Sequence, residues 1–93
     1  MRAYGNKIRR VRRVDFERYA IDLEFSDGHR GTVDLAFIFA RPRGLAREIV
    51  IGALFEKCFV LDGMLAWPNG YELCADALRR LSQAKPARKA RAA

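Results

Sequence analysis

Apolar and polar residues alternate along residues 19–25, and this alternation predicts a β-strand with one buried face. The apolar members of the pattern are Tyr19, Ile21, Leu23 and Phe25. The following residues contain Asp27-Gly28, which favours a tight hairpin because glycine adopts positive φ without steric cost. The returning strand is then predicted over residues 30–35, with Val33 and Leu35 on the buried face.

A second hairpin is predicted around Asp62-Gly63. Its strands are residues 58–62 and 64–67, which are short and mainly apolar. Pro68-Asn69-Gly70 predicts a further turn or bulge, and residues 71–73 predict a short extended piece. The two hairpins together indicate an antiparallel sheet.

The segment before the first hairpin, residues 8–16, has a different period. Its apolar residues Ile8, Val11 and Val14 are three positions apart, which fits either a bulged edge strand or a short amphipathic helix. We expect the strand, because charged side chains protect an open sheet edge from unwanted pairing. The arginines of this segment are Arg9, Arg10, Arg12 and Arg13.

The middle of the chain predicts short helical pieces. Asp34 is expected to cap a helical turn over residues 35–40, in which residues 37–39 are too apolar to be left in water together. Residues 45–50 fit either an extended segment or the start of a helix, and residues 53–57 predict one helical turn.

The last predicted element is a helix over residues 75–84. Leu78 and Leu81 lie in its apolar stripe, together with Cys74 and Ala77. Its outward-facing residues are predicted to be Arg79, Arg80 and Gln83.

This order of elements predicts an α+β fold, with an antiparallel sheet of about four to five strands carrying one or two packed helices. We expect residues 1–84 to form a single small domain, the size that 93 residues allow. Residues 85–93 (KPARKARAA) lack large apolar side chains, so we expect a basic disordered tail.

Charge is concentrated at the two ends of the chain. The net charge is +7, yet residues 14–84 carry eleven acidic and only eight basic residues. The arginines at positions 9, 10, 12 and 13 have three open interpretations: a solvated sheet edge, a strip that contacts nucleic-acid phosphates, or a contact with an acidic protein. The tail is predicted to solubilise the chain, with a nucleic-acid tether as the alternative.

Residues suited to catalysis or metal binding are scarce. The only histidine, His29, lies beside a predicted turn, and Cys58 and Cys74 are not spaced as a zinc motif. No phosphate-binding glycine motif occurs, and no nucleophile has an evident base. We therefore expect no enzyme activity, no cofactor and no bound metal, and we expect both thiols to be buried.

The chain also has no secretory signal and no apolar run long enough to span a bilayer, which predicts a cytoplasmic protein without membrane contact.

Aromatic residues offer a candidate interface. Trp67 fits either core closure or a recognition surface, since Trp and Tyr are favoured in both settings. The candidate interface residues are Phe37, Phe39, Trp67 and Tyr71. So much apolar surface in a small chain predicts a homodimer or higher homo-oligomer, or a different protein partner.

Several motifs occur in a characteristic order: Phe25-Ser26-Asp27-Gly28, Val33-Asp34-Leu35, Trp67-Pro68-Asn69-Gly70 and Glu72-Leu73. In this order, over about residues 8–79, the chain resembles the bacterial domain-of-unknown-function family 2442. The chain departs from the family pattern at Glu72, Ala75 and Arg79. The resemblance implies an α+β domain without established catalytic residues. It also implies a regulatory or accessory role in mobile elements or toxin–antitoxin pairs, with a toxin as one conceivable partner.

Overall fold

The computed structural model describes residues 7–83, which form six β-strands, three α-helices and a 3-10 turn. The strands are β1 (Ile8–Asp15), β2 (Ala20–Phe25), β3 (Arg30–Asp34), β4 (Phe59–Leu61), β5 (Met64–Ala66) and β6 (Glu72–Leu73). The helices are α1 (Ala36–Phe39), α2 (Gly44–Ile51) and α3 (Ala75–Gln83), and the 3-10 turn is Phe55–Lys57. The α+β class is thus confirmed, whereas the predicted tail at 85–93 lies outside the described residues.

The first predicted hairpin is confirmed as β2 and β3, which pair antiparallel with Ile21 opposite Val33. The inner-face residues Ile21, Leu23, Phe25 and Val33 are fully buried. Gly28 has φ +93°, and the amide of Phe25 donates to the carbonyl of His29 at 2.8 Å to close the turn. A glycine in the left-handed region is what a three-residue hairpin loop of this kind requires.

The three-residue period of β1 arises from two irregularities in its pairing with β2. The register shifts between Ile8 and Arg10 and again between Val11 and Arg13. Each bulge sets two residues of β1 opposite one residue of β2. Consequently Ile8, Val11 and Val14 all pack against the core while the arginines stay outside, which confirms the bulged strand.

The second hairpin is confirmed at Asp62-Gly63, which joins β4 and β5. Both turn residues have positive φ, +52° and +78°, as a two-residue turn between twisted strands requires. Asn69 orders the next turn: its Oδ1 accepts from the amide of Tyr71 at 3.2 Å, and its Nδ2 donates to the carbonyl of Leu45 at 3.0 Å. The Pro68-Asn69-Gly70 turn therefore also anchors α2.

The strands do not form one sheet of four to five strands. Within residues 7–83 they form two three-stranded sheets, β1-β2-β3 and β4-β5-β6. The amide of Ile8 donates to the carbonyl of Gly63 at 2.9 Å, so the sheets meet where β1 begins. β4 has only three residues, and within residues 7–83 no strand ladder joins it to β1.

The middle segment is helical where the sequence left two alternatives. Residues 45–50 belong to α2, which buries Ala46 and Ile49. The N-cap position of α1 is Leu35 and not the expected Asp34, and no side chain caps the helix from that position. Asp34 precedes it, and its Oδ1 accepts from the first helical amide, that of Ala36, at 3.0 Å.

The final helix α3 packs closely against β3. A side chain at Gly31 would place its Cβ 2.8 Å from Cβ of Ser82, well inside van der Waals contact. Leu78 lies on the inner face of α3 and is buried, as the apolar stripe of the helix predicts. Among the described residues, no helix is both long and apolar enough to cross a membrane.

Candidate interaction surfaces

Two of the candidate interface residues lie in the core. Phe39 and Trp67 are each 1% exposed, and their ring centroids are 5.6 Å apart. Phe55 contacts both rings, and its carbonyl accepts a hydrogen bond from Trp67 Nε1 at 3.1 Å. The indole therefore closes the core between the two sheets, and neither Phe39 nor Trp67 is available to a partner. The hydrogen bond to Phe55 pairs the N–H of the buried indole, which is the only polar group of that side chain.

The other two candidate interface residues lie nearer the surface. Tyr71 is half-buried against Trp67 and Phe39, and this burial raises the pKa of its phenol. Phe37 is 68% exposed, because a helix as short as α1 turns only one of its two phenylalanines inward.

Further apolar side chains are exposed on α2. Ile51 at the end of α2 is 71% exposed, and Leu45 near its start is partly exposed. We call Phe37, Leu45 and Ile51 the helical apolar surface. Sequence reasoning missed Leu45, because it left residues 45–50 undecided between an extended segment and a helix. Phe59 and Leu61 on β4 and Phe16 in the turn after β1 are exposed as well.

The arginines of β1 gather around one carboxylate. Glu24, whose side chain is 8% exposed, lies 3.4 Å from Arg9 Nη1 and 3.2 Å from Arg10 Nε. Arg12 on β1 and Arg30 on β3 reach the same carboxylate at 4.0 Å and 3.9 Å. Of the four predicted nucleic-acid contacts, Arg9, Arg10 and Arg12 therefore meet at Glu24. The sequence did not reveal Arg30 or the buried state of Glu24, since both depend on cross-strand register.

Arg13, the remaining predicted contact, lies at the other end of the same sheet face. Its Cα is opposite Asp22, and it lines an open groove of about 470 Å³. The charged residues that line this groove with it are Asp15, Glu17, Arg18, Asp22 and Glu56. Within residues 7–83, Arg13 takes part in no ion pair. Its guanidinium is exposed and able to contact a ligand.

Arg79 was predicted to face outward, and this prediction is wrong. Its two terminal nitrogens each donate to a carboxylate oxygen of Asp27 at 3.0 Å, and its guanidinium carbon lies 5.1 Å from the centre of the Phe25 ring. The Arg79 hydrogen bond, followed by the one from the His29 amide, lowers the pKa of the Asp27 carboxyl. The Asp27-Gly28 turn is thus fastened to α3, which explains why an arginine occupies this helix face.

His29 and Ser82 form a contact that resembles a catalytic pair in distance alone. His29 Nε2 lies 3.2 Å from Ser82 Oγ, and Ser82 Oγ itself donates to the carbonyl of Arg79 at 2.8 Å. The Ser82 hydroxyl is thus shared between the His29 ring and the carbonyl of Arg79. The pair is better explained as a second link between the β2–β3 turn and α3.

The two thiols differ in environment, contrary to the expectation that both are buried. Cys74 is exposed at the start of α3, whereas Cys58 is half-buried and belongs to the rim of the core. Burial raises the pKa of the Cys58 thiol to about 11. Cys74 lies immediately before α3, which begins at Ala75 as predicted, and the core contacts at this end of the helix come from Ala75 and Leu78.

We predict selective alkylation of Cys74 in the native protein. Because the thiolate is the reactive species, iodoacetamide at mildly alkaline pH should modify Cys74 first, with Cys58 at least about tenfold slower. Peptide mass spectrometry at successive times measures both rates, and urea-unfolded protein supplies the control in which they converge. Equal rates in the native protein would contradict the described burial.

Among residues 7–83, no group of three or more His, Cys, Asp or Glu side chains is arranged to hold a metal ion. Comparison with known proteins adds no assignment: no family model, no curated protein and no solved structure matches the chain.

Proposed function

We propose that this protein is a non-enzymatic interaction module that associates with a second copy of itself through the helical apolar surface. The observation that carries the proposal is the exposure of Phe37 and Ile51, at 68% and 71%. Burying one such side chain contributes about 1.5–3 kcal/mol, so a symmetric contact that covers both in each copy would supply a substantial part of a dimer's stability.

The charged residues beside this surface predict how the strength of the association changes with salt concentration. Arg41, Arg43 and Arg47 are exposed around it, and within residues 7–83 none of them has an ion-pair partner. Glu48 is the one acidic residue of α2. A two-fold contact brings such like charges of two copies near each other, and dissolved salt screens their repulsion. Association through this surface should therefore strengthen as salt is added.

The test is sedimentation equilibrium of the wild-type chain and of the double variant Phe37→Ser/Ile51→Ser. We expect the wild type to form dimers, and we expect the variant to associate at least about a hundredfold more weakly because each dimer loses at least about 3 kcal/mol of apolar burial. The matched control is Phe16→Ser/Leu61→Ser, which removes exposed apolar side chains elsewhere and should leave the dimer unchanged.

A wild-type chain that stays monomeric at every concentration would contradict self-association. The same surface would then be proposed for a partner of different sequence, such as the toxin that the family resemblance implies. Co-purification with proteins encoded by neighbouring genes, repeated with Phe37→Ser/Ile51→Ser, tests that alternative. The regulatory, mobile-element and cytoplasmic assignments implied or predicted from the sequence remain proposals of the same kind.

A further inference from the structure

The outer face of the β1-β2-β3 sheet carries an arginine cluster, defined as Arg9, Arg10, Arg12, Arg13 and Arg30. Two neighbouring carboxylates, Glu24 and Asp22, lie between these arginines on β2. A third carboxylate, Asp34, lies at the far end of the face and accepts a hydrogen bond from the amide of Ala36. Asp15 at the end of β1 is the fourth carboxylate of these strands, and it lines the groove beside Arg13 together with Glu17 and Glu56. The five arginines therefore exceed the carboxylates of the three strands by one. The excess lies at the end of the face where Arg9, Arg10 and Arg30 share Glu24.

Most hydrogen-bonding capacity in the cluster remains unused. Each guanidinium has five N–H donors, whereas the Glu24 carboxylate offers about four lone-pair sites. The side chains of Arg9, Arg10 and Arg30 are 51%, 59% and 61% exposed, which leaves them accessible to a ligand. Beyond Glu24, Arg9 Nη2 donates to the carbonyl of Ser26 at 3.3 Å. A single buried carboxylate thus gathers the guanidiniums without neutralising them.

The bulges of β1 are what make this density possible. In a regular strand, consecutive residues such as Arg9 and Arg10 would point to opposite faces. Here the register shift between Ile8 and Arg10 lets both guanidiniums reach Glu24. The shift between Val11 and Arg13 likewise lets Arg12 reach Asp22 while Arg13 lines the groove beside it. Arg30 extends the cluster to β3, about 10 Å across the sheet from β1.

We propose that this face binds the phosphate backbone of a nucleic acid. Arginine is the side chain best suited to phosphate because its planar guanidinium donates two parallel hydrogen bonds. The strand residues of this face include no aromatic side chain on which bases could stack: β2 presents Ala20, Asp22 and Glu24, and β3 presents Arg30, Thr32 and Asp34. The binding is therefore independent of sequence and depends on charge.

The proposal is independent of self-association, because the arginine cluster lies on the β1-β2-β3 sheet whereas self-association uses α1 and α2. The two kinds of binding also respond to salt in opposite directions. Phosphate binding releases counterions and weakens as salt is added, whereas the apolar contact strengthens. Failure of either proposal thus leaves the other testable.

The experiment measures fluorescence anisotropy of labelled duplex DNA, single-stranded DNA and single-stranded RNA with the full chain over a range of salt concentrations. The test variant is Arg13→Ala/Arg30→Ala, which leaves Arg9, Arg10 and Arg12 to pair with Glu24. For duplex DNA we expect the slope of log K against log salt to fall in magnitude by about 1.8 and the affinity to drop at least about tenfold near physiological salt. The three probes identify which nucleic acid is preferred.

Two controls separate the cluster from general basicity and from misfolding. Arg43→Ala/Arg47→Ala removes the same charge from α2 and the residue just before it, and should leave the slope unchanged. Glu24→Gln removes a negative charge from the cluster and should tighten binding severalfold, an effect that a destabilised fold cannot produce. An equal loss in both arginine pairs, binding insensitive to salt, or binding to anionic lipid vesicles but to none of the three probes would overturn the proposal.

Discussion

Phe39→Ala should cost about 3–5 kcal/mol of unfolding free energy, the typical penalty for removing a buried phenylalanine ring. Phe39 is 1% exposed and contacts four other rings, those of Tyr19, Phe55, Trp67 and Tyr71. A single domain of this size has about 5–15 kcal/mol in total. The variant should therefore be close to unfolding at room temperature, which urea denaturation followed by tryptophan fluorescence will measure.

Phe37→Ala is the matched control, because it makes the same substitution two positions earlier in the same helix. With Phe37 68% exposed, we expect a change within about 0.5 kcal/mol for the monomer. Similar costs for the two variants would mean that α1 is rotated relative to the described structure. The comparison therefore tests the division of this apolar segment into a core residue and a surface residue.

Gly31→Ala should destabilise the protein by about 1–3 kcal/mol, since the added methyl group forces α3 away from β3. The methyl carbon would lie 2.8 Å from Ser82 Cβ and 3.3 Å from the Ser82 carbonyl oxygen. Displacement of α3 would also strain the Asp27–Arg79 ion pair, because Arg79 lies on the same helix. Thermal denaturation followed by circular dichroism measures the loss.

A double-mutant cycle shows whether the cost arises at this contact. Ser82→Gly removes the opposing Cβ, although glycine inside a helix itself costs about 1 kcal/mol. Gly31→Ala should therefore cost less in the Ser82→Gly background than in the wild type, which is the signature of a direct contact. Gly28→Ala, where no atom lies within 4 Å, tests backbone strain alone. Additive effects of Gly31→Ala and Ser82→Gly would contradict the close approach.

The parts of the fold that local sequence determines were predicted well. Alternation over residues 19–25 and the glycine turns at 28 and 63 define both hairpins, because side-chain direction and positive φ are local properties. The arginine-rich segment also behaved as predicted, with its period of three explained by bulges. In these segments, short-range constraints and burial favour the same structure.

The predictions that failed depended on contacts between distant segments. Arg79 was assigned to solvent from its helix position, but it pairs with Asp27, 52 residues away. Glu24 was assigned to the polar face, which is correct, yet four arginines cover it there. The division into two sheets likewise depends on how far β1 and β4 stay together, which no local pattern specifies.

The candidate surfaces show the same limit. Aromatic character nominated Phe39 and Trp67 for an interface, but large rings also fill cores, and here the hydrogen bond from Trp67 to Phe55 holds the indole inside. Leu45 could not be nominated until α2 was known to be helical. What remains exposed after folding is a property of the whole chain.

Concentration-dependent hydrogen–deuterium exchange of the full chain tests the proposed contact most directly. As protein concentration rises, amides in residues 36–51 should gain protection and should lose that gain in the Phe37→Ser/Ile51→Ser variant, while amides of β1 keep a constant exchange rate. Exchange that is the same at every concentration, or protection that grows at β1 instead, would contradict association through α1 and α2.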